Sequence, residues 1–206
     1  MKSKNVWALN INYKSIDTDP NITSSGTNIY KVYFNLKDAV FNRDLLKEKF
    51  LEIITQEAIT KFKDCKEANK LVQQYKYISD VNSRLDIYIE NVEYLENFNN
   101  MNNLKSEDNF AFAVTSLYNE KDGDPILASV VDGYHIHIVC PTVIIAETFV
   151  KDLEEKILSN IIQKAVDKYI FSEPNSDHAI LKAQYEFIND LKSRITVNVK
   201  RVETDF

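Results

Sequence analysis

Glycine is nearly missing from this chain: three residues in 206, with only four prolines and two cysteines. The shortage of glycine excludes phosphate-cradling loops of the Gly-x-Gly-x-x-Gly or Gly-x-x-x-x-Gly-Lys kind, because their close backbone approach needs residues without a Cβ. No Gly-x-Ser-x-Gly elbow and no His-Glu-x-x-His helix occurs. Two cysteines, Cys65 and Cys140, make no disulfide framework in a chain of this length, so the expected setting is a reducing cytoplasm with both thiols free. No run approaches the ~20 apolar residues that span a bilayer. The start, Met1-Lys2-Ser3-Lys4-Asn5-Val6-Trp7, lacks the apolar core of a signal peptide. Basic residues are outnumbered, 25 against 31 acidic, for a net charge of −6. That balance argues against a nucleic-acid backbone as the main partner, which would need clustered Lys and Arg. Repeats at the roughly 20–50-residue periods of solenoids are absent as well.

What the chain does have is aromatic and aliphatic residues in regular patterns, together with abundant Asn, Lys, Ile and Tyr, a bias typical of AT-rich bacterial or phage genomes. Trp7, Leu9, Ile11 and Tyr13 alternate with smaller or polar neighbours, as do Tyr30, Val32, Phe34 and Leu36, which predicts two strands joined across a polar loop as an antiparallel hairpin. Asn42 is the expected N-cap of a helix carrying Leu46, Phe50, Ile53, Ile54, Ile59 and Phe62. A second helical pattern runs through Ala68, Leu71, Val72, Tyr75 and Ile78, and the lysines at 61, 63, 66, 70 and 76 make this stretch locally basic, most simply as a solvated face. Leu85, Ile87 and Ile89 predict a third strand. An Asn-rich connection over about 96–109 has no periodicity and reads as a flexible link within a single α+β domain, 1–206.

Phe110–Leu117, Ile126–Val131 and Tyr134–Cys140 predict a three-stranded meander, its second turn a type I′ hairpin at Asp132-Gly133. Pro141 suits the first position of a long helix bearing Ala146, Phe149, Leu153, Ile157, Ile161 and Ala165. A shorter helix with Ile180, Ala183, Phe187, Ile188 and Leu191 and a strand from Ile195 complete the chain. The expected fold is α+β: a mostly antiparallel sheet of about six to seven strands with helices packed on one face.

His135 and His137, at i and i+2 on one strand, share a face and could reach one metal ion, with His178 or Asp177 as a third ligand brought from a helix. The plainer reading is that both histidines are packed sheet residues. Cys140, next to a helix start, could be a nucleophilic thiolate, but its side chain alternates away from His137, so a buried thiol is expected. Asp122, Asp124 and Asp132 lack calcium-loop spacing and read as turn residues. The stretch Val130-Val131-Asp132-Gly133-Tyr134-His135 resembles the catalytic-histidine segment of chloramphenicol acetyltransferases. Ala128 stands where that family has its general base, so no acyl transfer is implied. The functional expectation is a soluble, non-catalytic protein-binding or assembly protein without a cofactor, acting on another protein or on itself. The alternative is a small hydrolase or nuclease using His135 and His137 with a divalent metal.

Overall fold

The computed structural model describes residues 3–16, 19–20, 23, 25–65, 67–95, 110–169 and 177–205, and the side chains of 67–68 and 177–178 lie outside that description. The 96–109 connection lies outside it too. The elements are β1 (Ser3–Tyr13), β2 (Gly26–Tyr33), α1 (Leu36–Lys61), α2 (Glu67–Ser83), β3 (Leu85–Leu95), β4 (Phe110–Tyr118), β5 (Gly133–Cys140), α3 (Val143–Tyr169), α4 (Asp177–Ser193) and β6 (Ile195–Asp205). Strand order is β1-β2-β6-β4-β5-β3, closing on itself as a barrel, and the pairs β2·β6 and β3·β5 are parallel.

This corrects the expectation of a mostly antiparallel open sheet with helices on one face. Alternation reports which residues of a strand are buried, not which strand lies beside it. β3 and β6, at 11 residues each, are long enough to pair with different neighbours at their two ends. Tyr94 near the end of β3 pairs with Val139, and Glu203, Thr204 and Asp205 of β6 pair with Lys31, Val32 and Tyr33. The chain accordingly divides into two compact units, Asn5–Val92 with Val202–Phe206, and Met1–Lys4 with Glu93–Arg201.

The expected meander is also absent. Residues 126–131 form no strand, and β5 pairs directly with β4, from Tyr118↔Gly133 to Phe112↔Cys140. The reason lies at Asp124, whose carboxylate is tied to Arg194, Tyr118 and the backbone N–H of Lys121, so the chain turns there instead of extending. The apolar residues that suggested a strand split: Leu127 and Val130 enter the core while Ile126 and Val131 face solvent. Asp132 and Gly133 form no two-residue turn; Asp132 accepts a hydrogen bond from the Glu120 backbone, and Gly133, at φ 80°, opens β5.

Helix starts shift in the same local way. Asn35, not Asn42, caps α1, its side chain accepting from the Lys37 N–H at 2.8 Å, while Asn42 donates to the Asp38 carbonyl one turn into the helix. Pro141 precedes α3, and Thr142 accepts from the backbones of Ile145 and Ala146.

The two halves repeat one plan, ββααβ, and they repeat it residue by residue. Ala39, Leu46, Phe50, Ile54 and Ala58 form the buried stripe of α1, and Ala146, Leu153, Ile157, Ile161 and Ala165 form that of α3 at the same spacing. Burying each of the larger side chains is worth about 1.5–3 kcal/mol. A β-bulge interrupts the β1·β2 ladder between Leu9 and Asn10, and its counterpart interrupts β4·β5 between Val114 and Thr115. Gly26 and Gly133, both at positive φ, open β2 and β5 opposite Tyr13 and Tyr118.

Candidate functional site

His135 and His137 sit on β5 beside the bulge. Val114 pairs with Ile138, Thr115 with Ile136 and Ser116 with His135, which leaves His137 as the extra residue of the bulged strand. Bulges re-aim side chains. Here the result is two imidazoles edge to face, centroids 4.8 Å apart, with His137 Nε2 2.9 Å from the Ser116 hydroxyl. Burial, assisted by the neighbouring His135, pulls the pKa of His137 down to about 4, so the ring is neutral at ordinary pH.

A serine and a neutral histidine at this distance have the spacing of an activated nucleophile. Ser116, however, is 1% exposed, so an incoming substrate has no path to its oxygen. The hydrogen bond satisfies a buried hydroxyl and fixes the ring of His137. For a metal, Nε2 of His137 is already engaged by Ser116. Among the described residues no group of three His, Cys, Asp or Glu side chains comes together as an ion would require. The side chains of His178 and Asp177, the expected third ligands, lie outside those residues. The first repeat has Asn28 and Tyr30 at the two histidine positions, so the pair belongs to the second repeat alone.

Cys140 is fully buried, and burial pushes its thiol up to about 12, the reverse of an activated thiolate. Asp124 is a structural ligand of Arg194. That assembly is duplicated: Arg84 and Arg194 each grip one aspartate with both terminal nitrogens, Asp19 at 2.7 Å and Asp124 at 2.9 Å through Nη2, with Nη1 closing the second arm of each pair. Each also reaches the aspartate one turn earlier on its helix, Asp80 at 2.9 Å and Asp190 at 2.8 Å. Tyr13 and Tyr118 donate to the same carboxylates, at 2.7 and 2.9 Å. The guanidinium partners hold Asp19 and Asp124 well below the usual carboxylate range, while burial and the adjacent aspartate raise Tyr118 to about 12. The terminal nitrogens of both arginines and the hydroxyls of both tyrosines are aimed inward at partners from their own repeat, so these are fasteners that tie the first loop of each repeat to its last strand.

What remains is surface. Leu71 and Tyr75 of α2 are 74% and 72% exposed, and Leu181 and Tyr185 of α4, at the matching positions, are 64% and 66% exposed. The helical spacing of Leu71, Val72 and Tyr75 suggested a core stripe. In the fold α2 instead faces the core through Val81 and the half-buried Tyr77 and Ile78. The signal that could have exposed this is the repeat itself: Tyr75, Ile78, Asp80, Ser83 and Arg84 recur in the same order and spacing as Tyr185, Ile188, Asp190, Ser193 and Arg194. A matching groove also occurs in each unit, about 360 Å³ between α1 and the start of β3 and about 400 Å³ between α3 and the start of β6, lined among others by Leu51 and Leu158.

No helix among the described residues is long and apolar enough to cross a membrane. Comparison of the chain with protein-family models, with curated proteins and with solved structures finds no match.

Proposed function

We propose that the chain is a non-catalytic protein-binding or assembly protein whose contacts are made by the outward faces of α2 and α4. The observation behind this reading is the pair of equivalent, strongly exposed Leu and Tyr residues, Leu71 with Tyr75 and Leu181 with Tyr185. Single exposed apolar residues are ordinary and call for no explanation. An apolar pair kept on both helices, while neighbouring surface positions such as Val72 and Lys182 have diverged, is not accounted for by packing within the repeat. Tyrosine is moreover favoured at interfaces, where it supplies area at little entropic cost.

Co-purification of the native protein with its partners separates this reading from a histidine-based enzyme. A His135→Ala/His137→Ala variant is expected to retain every partner, and Tyr75→Glu/Tyr185→Glu to lose them. Loss of partners from the histidine variant alone, or turnover of a substrate abolished by it, contradicts the proposal.

A further inference from the structure

We infer that the end of β6 is an exchangeable strand, which docks on β2 of its own chain or on β2 of a second copy. This is independent of the α2 and α4 faces and concerns a backbone edge instead. The two compact units do not coincide with the two repeats: the unit built on Asn5–Val92 also takes in β6 from Val202 onward, so the last strand crosses a unit boundary between Arg201 and Val202. Before the boundary, Ile195, Val197 and Val199 pack on the core of the second repeat with Phe187 and Leu191. Beyond it, Glu203, Thr204 and Asp205 pair in parallel with Lys31, Val32 and Tyr33 of the first. One strand thus serves two cores, with Arg201 and Val202 as the hinge.

The docking beyond the hinge is weakly held. It consists of three parallel residue pairs, the less stable kind of ladder. Asp205 lies 3.3 Å from Lys31, but with side-chain exposures of 55% and 24% that ion pair adds little. Val202 and Thr204 are each 4% exposed, and burial of Val202 favours docking, whereas the Thr204 hydroxyl is buried with no hydrogen-bond partner among the described residues and opposes it. Such a segment opens ahead of global unfolding. Its departure bares the backbone N–H and C=O groups of β2 on the side away from β1, an edge that another strand completes. The end of β6 fits that edge in register, in its buried Val202 and Thr204, and in the acidic Asp205 beside Lys31. Every copy carries one such edge and one such strand end. Reciprocal exchange between two copies therefore restores each contact and closes as a symmetric dimer.

The test is disulfide trapping between copies of the full chain. Lys31 and Glu203 are registered partners on β2 and β6, within the reach of a disulfide once both are cysteine. Lys31→Cys and Glu203→Cys are made separately, each with Cys65→Ser to remove the exposed native thiol, and mixed in a glutathione redox buffer. The mixture is held at roughly 1 mM, the scale of the effective concentration with which a tethered strand competes. The disulfide joining position 31 of one copy to position 203 of the other is expected to exceed both same-variant dimers by about tenfold, because only exchange holds those two positions together. With both substitutions on one chain at roughly 1 µM, where the tethered strand wins, the disulfide should close within the chain, which checks fold and register in the same variants. A mixed disulfide no more abundant than the same-variant dimers is random collision and overturns the inference. Failure of the doubly substituted chain to close its internal disulfide overturns it too, since β6 would then not lie on β2. Neither result bears on the binding role proposed for α2 and α4.

Discussion

Arg84 and Arg194 show how much a single residue holds in each repeat. Both sit in the turn between a helix and its following strand, and both reach back to a carboxylate from the first loop. The pairs are well shielded, with side-chain exposures of 18% and 2% for Arg84 and Asp19 and 10% and 11% for Arg194 and Asp124. Removing one partner strands a buried charge, so Arg84→Met or Asp124→Asn is expected to cost about 3–5 kcal/mol, read as a drop in chemical-denaturation midpoint. Because the folded state depresses both aspartates below their ordinary pKa of about 3.9, the unfolded chain binds protons first as acid is added. Their contribution is complete above that value and is withdrawn only as pH falls below it. Asp124→Asn should therefore remove part of the acid-induced loss of stability.

His137 works at higher pH but with the same sign. Its folded pKa of about 4 lies below the unfolded value of about 6.5, so stability falls as pH drops from 6.5 to 4. His137→Gln should flatten the profile across that window and leave it unchanged above. At Gly26 and Gly133 nothing lies within 4 Å of an added Cβ, so the cost of Ala there is backbone strain alone, roughly 1–2 kcal/mol at each site. Equal costs at the two glycines would express the repeat at residue level.

At the scale of elements, the amphipathic patterns located helices α1 to α4 and strands β1 to β6 among the described residues, because burial periodicity is a property of one segment and its own side chains. They misplaced boundaries wherever a cap or a buried ion pair decided the turn. Asn35 outcompetes Asn42 because its side chain meets a free N–H, whereas Asn42 lies in the helix interior. Ile126–Val131 looked like a strand because Leu127 and Val130 are apolar for a different reason, filling the core from a loop pinned by Asp124. The candidate histidines were legible as a pair on one face, but the bulge that brings His137 to Ser116 depends on the pairing of β4 with β5, which no local pattern encodes. Cys140 and Cys65 make the contrast measurable: the buried thiol of Cys140 should resist a thiol reagent in the native state while the exposed Cys65 reacts.

For the whole molecule, the duplicated ββααβ plan is the feature that sequence reading missed, because the halves agree at scattered positions set by packing, such as Ala39 with Ala146 and Arg84 with Arg194, and differ on the surface between them. The strand order escaped for a related reason, since β3 and β6 owe their length to pairings made at both ends. Two repeats alike inside and unlike outside present two related helix faces, on α2 and α4, and the proposed binding role rests on these faces. The most direct measurement is site-specific photo-crosslinking in cells that make the protein, with p-benzoylphenylalanine in place of Tyr185 and, as a control, of Lys151 on α3. The account predicts a discrete crosslinked protein from position 185 and none from position 151. Equal or absent crosslinking at the two positions would contradict it.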